Sequence, residues 1–114
     1  RMSEHRTRSL DAFTHPLEHA AYATDEVVAG APTIGATAFG ELGEVEVGIW
    51  EMTEGVAHDT EVEEHFVGLS GAGSVAFEDG EVIDLHPGSV VRLVAGERTT
   101  WTITQTLRKV YIAS

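Results

Sequence analysis

The sequence predicts an all-β protein, a sandwich or barrel of short strands, on three observations. Apolar and polar residues alternate over short runs, as at Val45, Val47 and Ile49 against Glu46 and Gly48, the period of a half-buried strand. Turn residues recur roughly every 8–12 residues. No run keeps a 3.6-residue apolar period beyond a turn or two.

Composition bounds the rest. At 114 residues a second core would be too small to hold itself together, so one domain is expected. Hydrophobic content of 42% is ordinary for a globular chain. No window approaches the roughly 18 consecutive apolar residues of a membrane helix. The first eight residues are polar and charged, without an apolar signal-like region, and a cytoplasmic location is the expectation. The chain has no cysteine, which excludes disulfides and thiolate metal sites. Nineteen acids against seven Lys and Arg give a formal charge of −12. Such a surface repels phosphate backbones and anionic lipid, so neither nucleic acid nor membrane is an expected partner.

Residues 1–25 read as an irregular N-terminal arm and 26–114 as the single barrel domain. Within the arm, Arg6 and Arg8 flank a short strand at residues 9–13. His15 and His19 would face one another on a helix, but Pro16 lies between them and no third ligand is near. The arm is therefore read as solvated or packed on a neighbouring subunit. Residues 23–37, with Gly30, Pro32 and Gly35, have loop composition. The stretch 48–71 organises the remainder of the chain: a strand, a turn rich in acids and histidines, then an apolar strand from Glu64 that stops at Gly71. Gly71-Ala72-Gly73 is a tight corner, and residues 74–78 place Val75 and Phe77 on one face. Asp79-Gly80 signals a two-residue hairpin, with residues 81–85 returning to the turn His86-Pro87-Gly88. Residues 90–94 are apolar but for Arg92, which predicts a strand covered on both faces. Residues 99–106 and 107–113, rich in Thr, Val, Ile, Trp and Tyr, are the last two strands.

Few residues carry chemistry. Glu64, pointing into the barrel with Phe66, is the best single candidate, either functional or paired with Arg92 or Arg98. His58 is a general base or ligand beside it, or a histidine in an exposed turn. Alternation sets Glu63 and His65 opposite Glu64, facing solvent; a rearranged set of His58, Glu61 and Glu64 is the remaining arrangement. If Thr99 faces inward, Trp101 and Ile103 do as well, and Trp101 becomes a pocket wall or core. Trp50, Met52 and Phe77 read as core. Arg92 either pairs with a barrel carboxylate or clamps an anionic substrate, since an unpaired buried guanidinium is costly. Arg98 caps the barrel mouth or is a surface charge.

Two signatures resemble the cupin family, the small double-stranded β-helix or jelly-roll barrel. Glu64 followed after six residues by Gly71 is similar to the end of the first cupin motif. Asp79-Gly80, Leu85, Pro87-Gly88, residues 90–93 and Ala95-Gly96 are similar to the second. With Gly48 to Glu51, Gly55, Thr100-Trp101 and residues 108–112, the chain resembles the branch related to ureidoglycine aminohydrolase. The resemblance covers about residues 25–113. It implies a divalent metal such as manganese, zinc or nickel, on three histidines and a glutamate. Here those positions hold His58, Thr60, Thr99 and Glu64, so at most His58 and Glu64 remain, and a weak or absent metal is expected. In the family's closing strand Arg108 and Lys109 recur and are read as structural support. The resemblance implies an enzyme acting on a small nitrogen-containing or carboxylate metabolite, with Glu64 and His58 catalytic and Arg92, Arg98, Thr99 and Trp101 binding substrate. The alternative is a metal-free ligand-binding or dimerising module without turnover. Cupins commonly pair, so a homodimer is expected. Neither a P-loop nor a Gly-x-Ser-x-Gly nucleophile turn is present.

Overall fold

A computed structural model of the chain describes residues 7–114. Residues 1–6, Arg6 among them, lie outside the described residues. Nine strands form one curled sheet, and the described residues contain no helix; none therefore is long and apolar enough to cross a membrane. The strands are β1 (His19–Ala21), β2 (Val27–Gly30), β3 (Thr33–Leu42), β4 (Val45–Met52), β5 (Gly55–Thr60), β6 (Glu64–Phe77), β7 (Val82–Leu85), β8 (Val90–Leu93) and β9 (Arg98–Ala113). This is the all-β jelly-roll architecture the sequence predicts.

β9 is the axis of the molecule. One edge pairs with β5 over its first half and with β4 over its second. The other edge runs against β6 from Glu64↔Ala113 to Phe77↔Thr99. β3 pairs β4 and β1 pairs β3, while β2 closes on β5. β7 and β8 both pair β6. The core lies on the concave side: Met52, Phe66, Val75, Leu85, Leu93, Trp101 and Leu107 are all buried there. Side chains alternate between faces, so odd residues of β9 from Thr99 to Trp101 and Ile103 turn inward, and Leu107 and Lys109 continue the same parity.

Four sequence expectations about strand extents are corrected. Residues 23–37 are not loop: β2 and β3 run through them, because neighbouring strands satisfy backbone groups that local composition leaves open. β6 does not stop at Gly71. It continues to Phe77, turning the corner through register shifts between Gly68 and Gly73, as bulges do when one strand must bend. Residues 99–106 and 107–113 are likewise one strand. Residues 9–13 are not a strand; the Asp11 carbonyl accepts from the Thr14 and His15 amides in a turn.

The arm keeps most of its described residues exposed but is tied to the barrel. β1 joins it to β3, and the buried Arg108 donates from Nη1 to the Ala12 and His15 carbonyls at 3.0 and 2.8 Å. Arg108 Nε also donates to Glu51 Oε1 at 2.9 Å, and His19 Nε2 lies 2.5 Å from Glu51 Oε2. His19 therefore sits on a strand, away from any helical pairing with His15. Arg92 is exposed: in β8 only Val91 and Leu93 face the core, while Val90 and Arg92 face solvent. The prediction of a strand covered on both faces fails because β8 packs by one face alone. Asp79-Gly80 does form a hairpin, but with three loop residues. Gly80 N donates to Phe77 O, Phe77 N donates to Glu81 O, and pairing resumes at Ala76↔Val82, the turn-plus-bulge form of a hairpin.

Candidate functional site

A pocket of about 460 Å³ opens at one end of the barrel, between β3, β4, β5, β6 and β9. Its floor is built by alternation. From β9 come Trp101, Lys109 and Tyr111; from β4, Glu46 and Trp50; from β5 and the residue after its end, Asp59 and Glu61; from β6, Glu64. Glu41 and Glu44 stand at the rim. Six carboxylates and one ammonium thus share the lining.

The ammonium is Lys109, only 4% exposed. Its Nζ donates to Glu64 Oε2 at 2.6 Å. It also lies 4.4 Å from the ring centroid of Trp50, 4.3 Å from Phe66 and 4.8 Å from Trp101. The rings pack on one another, Trp101 against Trp50 at 5.6 Å and against Phe66 at 5.8 Å. The negative faces of these rings and the Glu64 carboxylate together replace the hydration that burial removes. Burial still dominates and pushes the Lys109 ammonium below the ordinary lysine range, against the opposing pull of Glu64, Glu61 and Asp59.

Glu61 is the second buried charge-bearing group. Its Oε2 accepts from Thr99 Oγ1 at 2.6 Å and from Trp101 Nε1 at 3.0 Å, and its Oε1 has no hydrogen-bond partner among the described residues. Desolvation holds its carboxyl above the ordinary range in spite of those two donors, and nearby Asp59 adds to the effect. Asp59 is raised too, first by desolvation and further by Glu26 and Glu64. At the rim, Tyr111 Oη donates to Glu46 Oε2 at 2.5 Å, and burial raises the Tyr111 phenol first, that hydrogen bond second.

Of the residues singled out from sequence, Glu64, Thr99 and Trp101 come together at this floor. Thr99 does not face the open space; its hydroxyl is spent on Glu61. His58 points the other way. Asp59 turns inward on β5, so His58 turns outward, where Nδ1 lies 2.9 Å from Thr100 Oγ1. It lines a separate shallow pocket with Arg98. Arg98 is held there by Glu26, with Nη1–Oε2 at 3.0 Å, and by Thr60. Arg92 is on the outer surface. The pairing of His58 with Glu64 is thus corrected by strand parity, and both arginines lie away from the pocket. Glu63 and His65 are exposed, opposite Glu64.

These residues do not fit the implied metal. Of the ligand positions, His58 is on the wrong face and Thr99 is bonded to Glu61. Glu64 is already engaged by an internal cation at hydrogen-bond distance. Among the described residues no three His, Asp or Glu side chains are arranged to hold a metal ion.

Lys109, Glu61 and Asp59 are the site residues that reasoning from sequence missed or left at the margin. Parity was the available signal: Lys109 is eight residues from Trp101, on the same face of a continuous strand. The seven basic residues of the chain include a single lysine, Lys109 itself.

Comparison with known proteins agrees with this architecture. No curated protein matches the chain. A protein of unknown function from Pseudomonas syringae pv. tomato superposes with a TM-score of 0.79 at 19% identity, over 92% of this chain and 46% of that one. The EutQ protein of Clostridium difficile superposes with a TM-score of 0.62 at 15% identity, over 72% and 68%. A putative ethanolamine utilization protein Q from Salmonella typhimurium gives 0.62 at 14% identity, over 87% and 97%. At these identities the likeness is one of fold. Residues 39–111, well over half of the sequence, match the model of the EutQ-like cupin domain. The chain belongs to that family of cupins.

Proposed function

We propose that the barrel is a metal-independent site for a small nitrogen-bearing metabolite, neutral or cationic, bound beside the Lys109–Glu64 pair. The observation that carries this reading is the lining, six carboxylates and one ammonium over an aromatic floor. Lys109 is answered by Glu64, so Asp59 and the free oxygen of Glu61 face an incoming ligand as acceptors. An amine, amidine or ureido nitrogen donates to them, and Trp50 and Trp101 offer flat faces to a planar group. A carboxylate ligand would instead meet like charge at short range, with neither Arg92 nor Arg98 at hand. The amine-bearing carbon handled in the ureidoglycine aminohydrolase group has compatible ligand chemistry; its metal-bound hydrolysis is not carried over.

The second reading is a module without a ligand. It is favoured by Phe66 and Trp101, which fill the lower barrel. The two readings separate by fluorescence, because Trp50 and Trp101 are the only tryptophans and both line the pocket. Titration with methylguanidinium and methylurea is expected to give saturable changes, and acetate none. Glu61→Gln should weaken methylguanidinium binding about tenfold, the order expected for loss of a charge-assisted hydrogen bond. No saturable response to any of the three would leave the ligand-free module standing, and preferential binding of acetate would overturn the ligand class proposed.

A further inference from the structure

We infer that Lys109 is a nucleophilic amine that condenses with a small neutral or cationic aldehyde or ketone to form a protonated imine inside its aromatic cage. The inference rests on the reading of the pocket as a ligand site and adds a reaction to it.

Three observations point there. The chain has six arginines and one lysine, and the lysine lies at the floor of the 460 Å³ pocket, among its lining residues. A permanent guanidinium would neutralise Glu64 equally well, but it cannot give up its proton and attack a carbonyl, whereas an amine can. The cage favours a cation at Nζ, with three ring faces between 4.3 and 4.8 Å and Glu64 at 2.6 Å. A protonated imine is also a cation at that nitrogen, so the groups that hold the ammonium also hold the product of condensation. Finally, Glu64 Oε2, at 2.6 Å from Nζ, is placed to take a proton from it.

The step balances without any co-reactant. Glu64, hydrogen-bonded to the ammonium, takes one proton and leaves the neutral amine. The nitrogen lone pair forms a bond to the carbonyl carbon while the C=O π bond opens onto oxygen. That oxygen collects a proton from nitrogen by way of Glu64. A second proton, the one Glu64 or a protonated Glu61 holds, lets it leave as water as the C=N bond forms. The sum is ammonium plus carbonyl giving iminium plus water, with no net change in charge. The carboxylate-rich walls set the class of partner: a carbonyl compound without a carboxylate or phosphate, and one bearing a second amine above all.

The test is reductive trapping of the folded wild-type chain with propionaldehyde and sodium cyanoborohydride at neutral pH, read by peptide mass spectrometry. Lys109 carries the only ε-amine, and the chain's α-amino group is an internal standard for the reagent. The expected result is one propyl group on Lys109, gained at least as fast as on the α-amino group. Trapping by pyruvate should be at least about tenfold slower, and Glu64→Gln should slow the propionaldehyde reaction by a similar factor (a change of about 1.4 kcal/mol in barrier). Propylation of the α-amino group while Lys109 stays unmodified until urea unfolds the chain would overturn the inference. Equal trapping by pyruvate would overturn the substrate class. A failed trapping beside intact methylguanidinium titration would remove the imine step and leave the binding site in place.

Discussion

The carboxyl of Glu61 shows how a single residue couples the site to the stability of the fold. Two donors, Thr99 Oγ1 and Trp101 Nε1, converge on its Oε2, yet desolvation outweighs them and the folded protein keeps its proton to higher pH than the ordinary value of 4.5. In the window just above that value the folded state binds more protons than the unfolded chain. Stability from this group is therefore fully present below the unfolded value and is lost as pH rises through the raised folded value. Asp59 contributes with the same sign. Glu61→Gln keeps an acceptor for both donors and cannot ionise. Urea midpoints of the wild type should decline relative to the variant as pH rises from about 4.5 toward neutral, with Asp59 leaving part of the slope in both. Parallel profiles would remove Glu61 as a buried titrating group. At this scale the sequence is readable for Glu64, Trp101 and Thr99, whose inward direction follows from alternation. It is not readable for His58, since one residue of parity decides its face and the acidic turn hides where β5 begins. Lys109 reads from sequence as structural support because it recurs with Arg108 in the closing strand of the family the chain resembles. Two adjacent basic residues are both buried only when each face of the strand is covered, and the arm that covers Arg108 is the least legible part of the chain.

At the scale of elements, β6 and β9 do most of the building. Together they run antiparallel from one end of the barrel to the other, and β6 must bend between Gly68 and Gly73 to stay on β9. Gly71 makes the bend: its φ is +94°, and an added Cβ would strike the Thr106 carbonyl and the Leu107 backbone. Gly80, in the hairpin, has a similar φ of +97° but open space around it. Gly71→Ala should thus cost more than about 2 kcal/mol, since it adds collision to backbone strain, while Gly80→Ala costs about 1 kcal/mol from conformation alone. Urea unfolding of the two variants checks this. Equal losses would mean that β9 yields and the bend is not fixed by contact. Turn positions are legible from sequence because glycine, proline and Asp-Gly carry local conformational demands. Strand continuity through Gly71, and strands β2 and β3 in a glycine- and proline-containing stretch, are not. Those depend on partners remote in the sequence.

For the molecule as a whole, charge is distributed with a clear division. Nineteen acids leave the chain at −12, the acids crowd the pocket rim as well as the surface, and the one lysine sits at the centre of the barrel. The cupin fold is legible because its signatures are turn glycines and apolar strands. What the barrel holds is not, because motif positions mark where ligands would be without showing which faces they occupy. In this chain Glu64 is engaged by an ammonium from the opposite strand, and Trp50, Phe66 and Trp101 complete its surroundings. That arrangement is the central claim, and one measurement addresses it directly. With lysine labelled at Nε with nitrogen-15, the protein gives a single side-chain nitrogen resonance, because Lys109 is the only lysine. The account predicts a signal protected from solvent exchange, displaced by the ring currents of three aromatic faces, and shifted again in Glu64→Gln. A rapidly exchanging signal at the position of a free lysine, indifferent to Glu64→Gln, would contradict it.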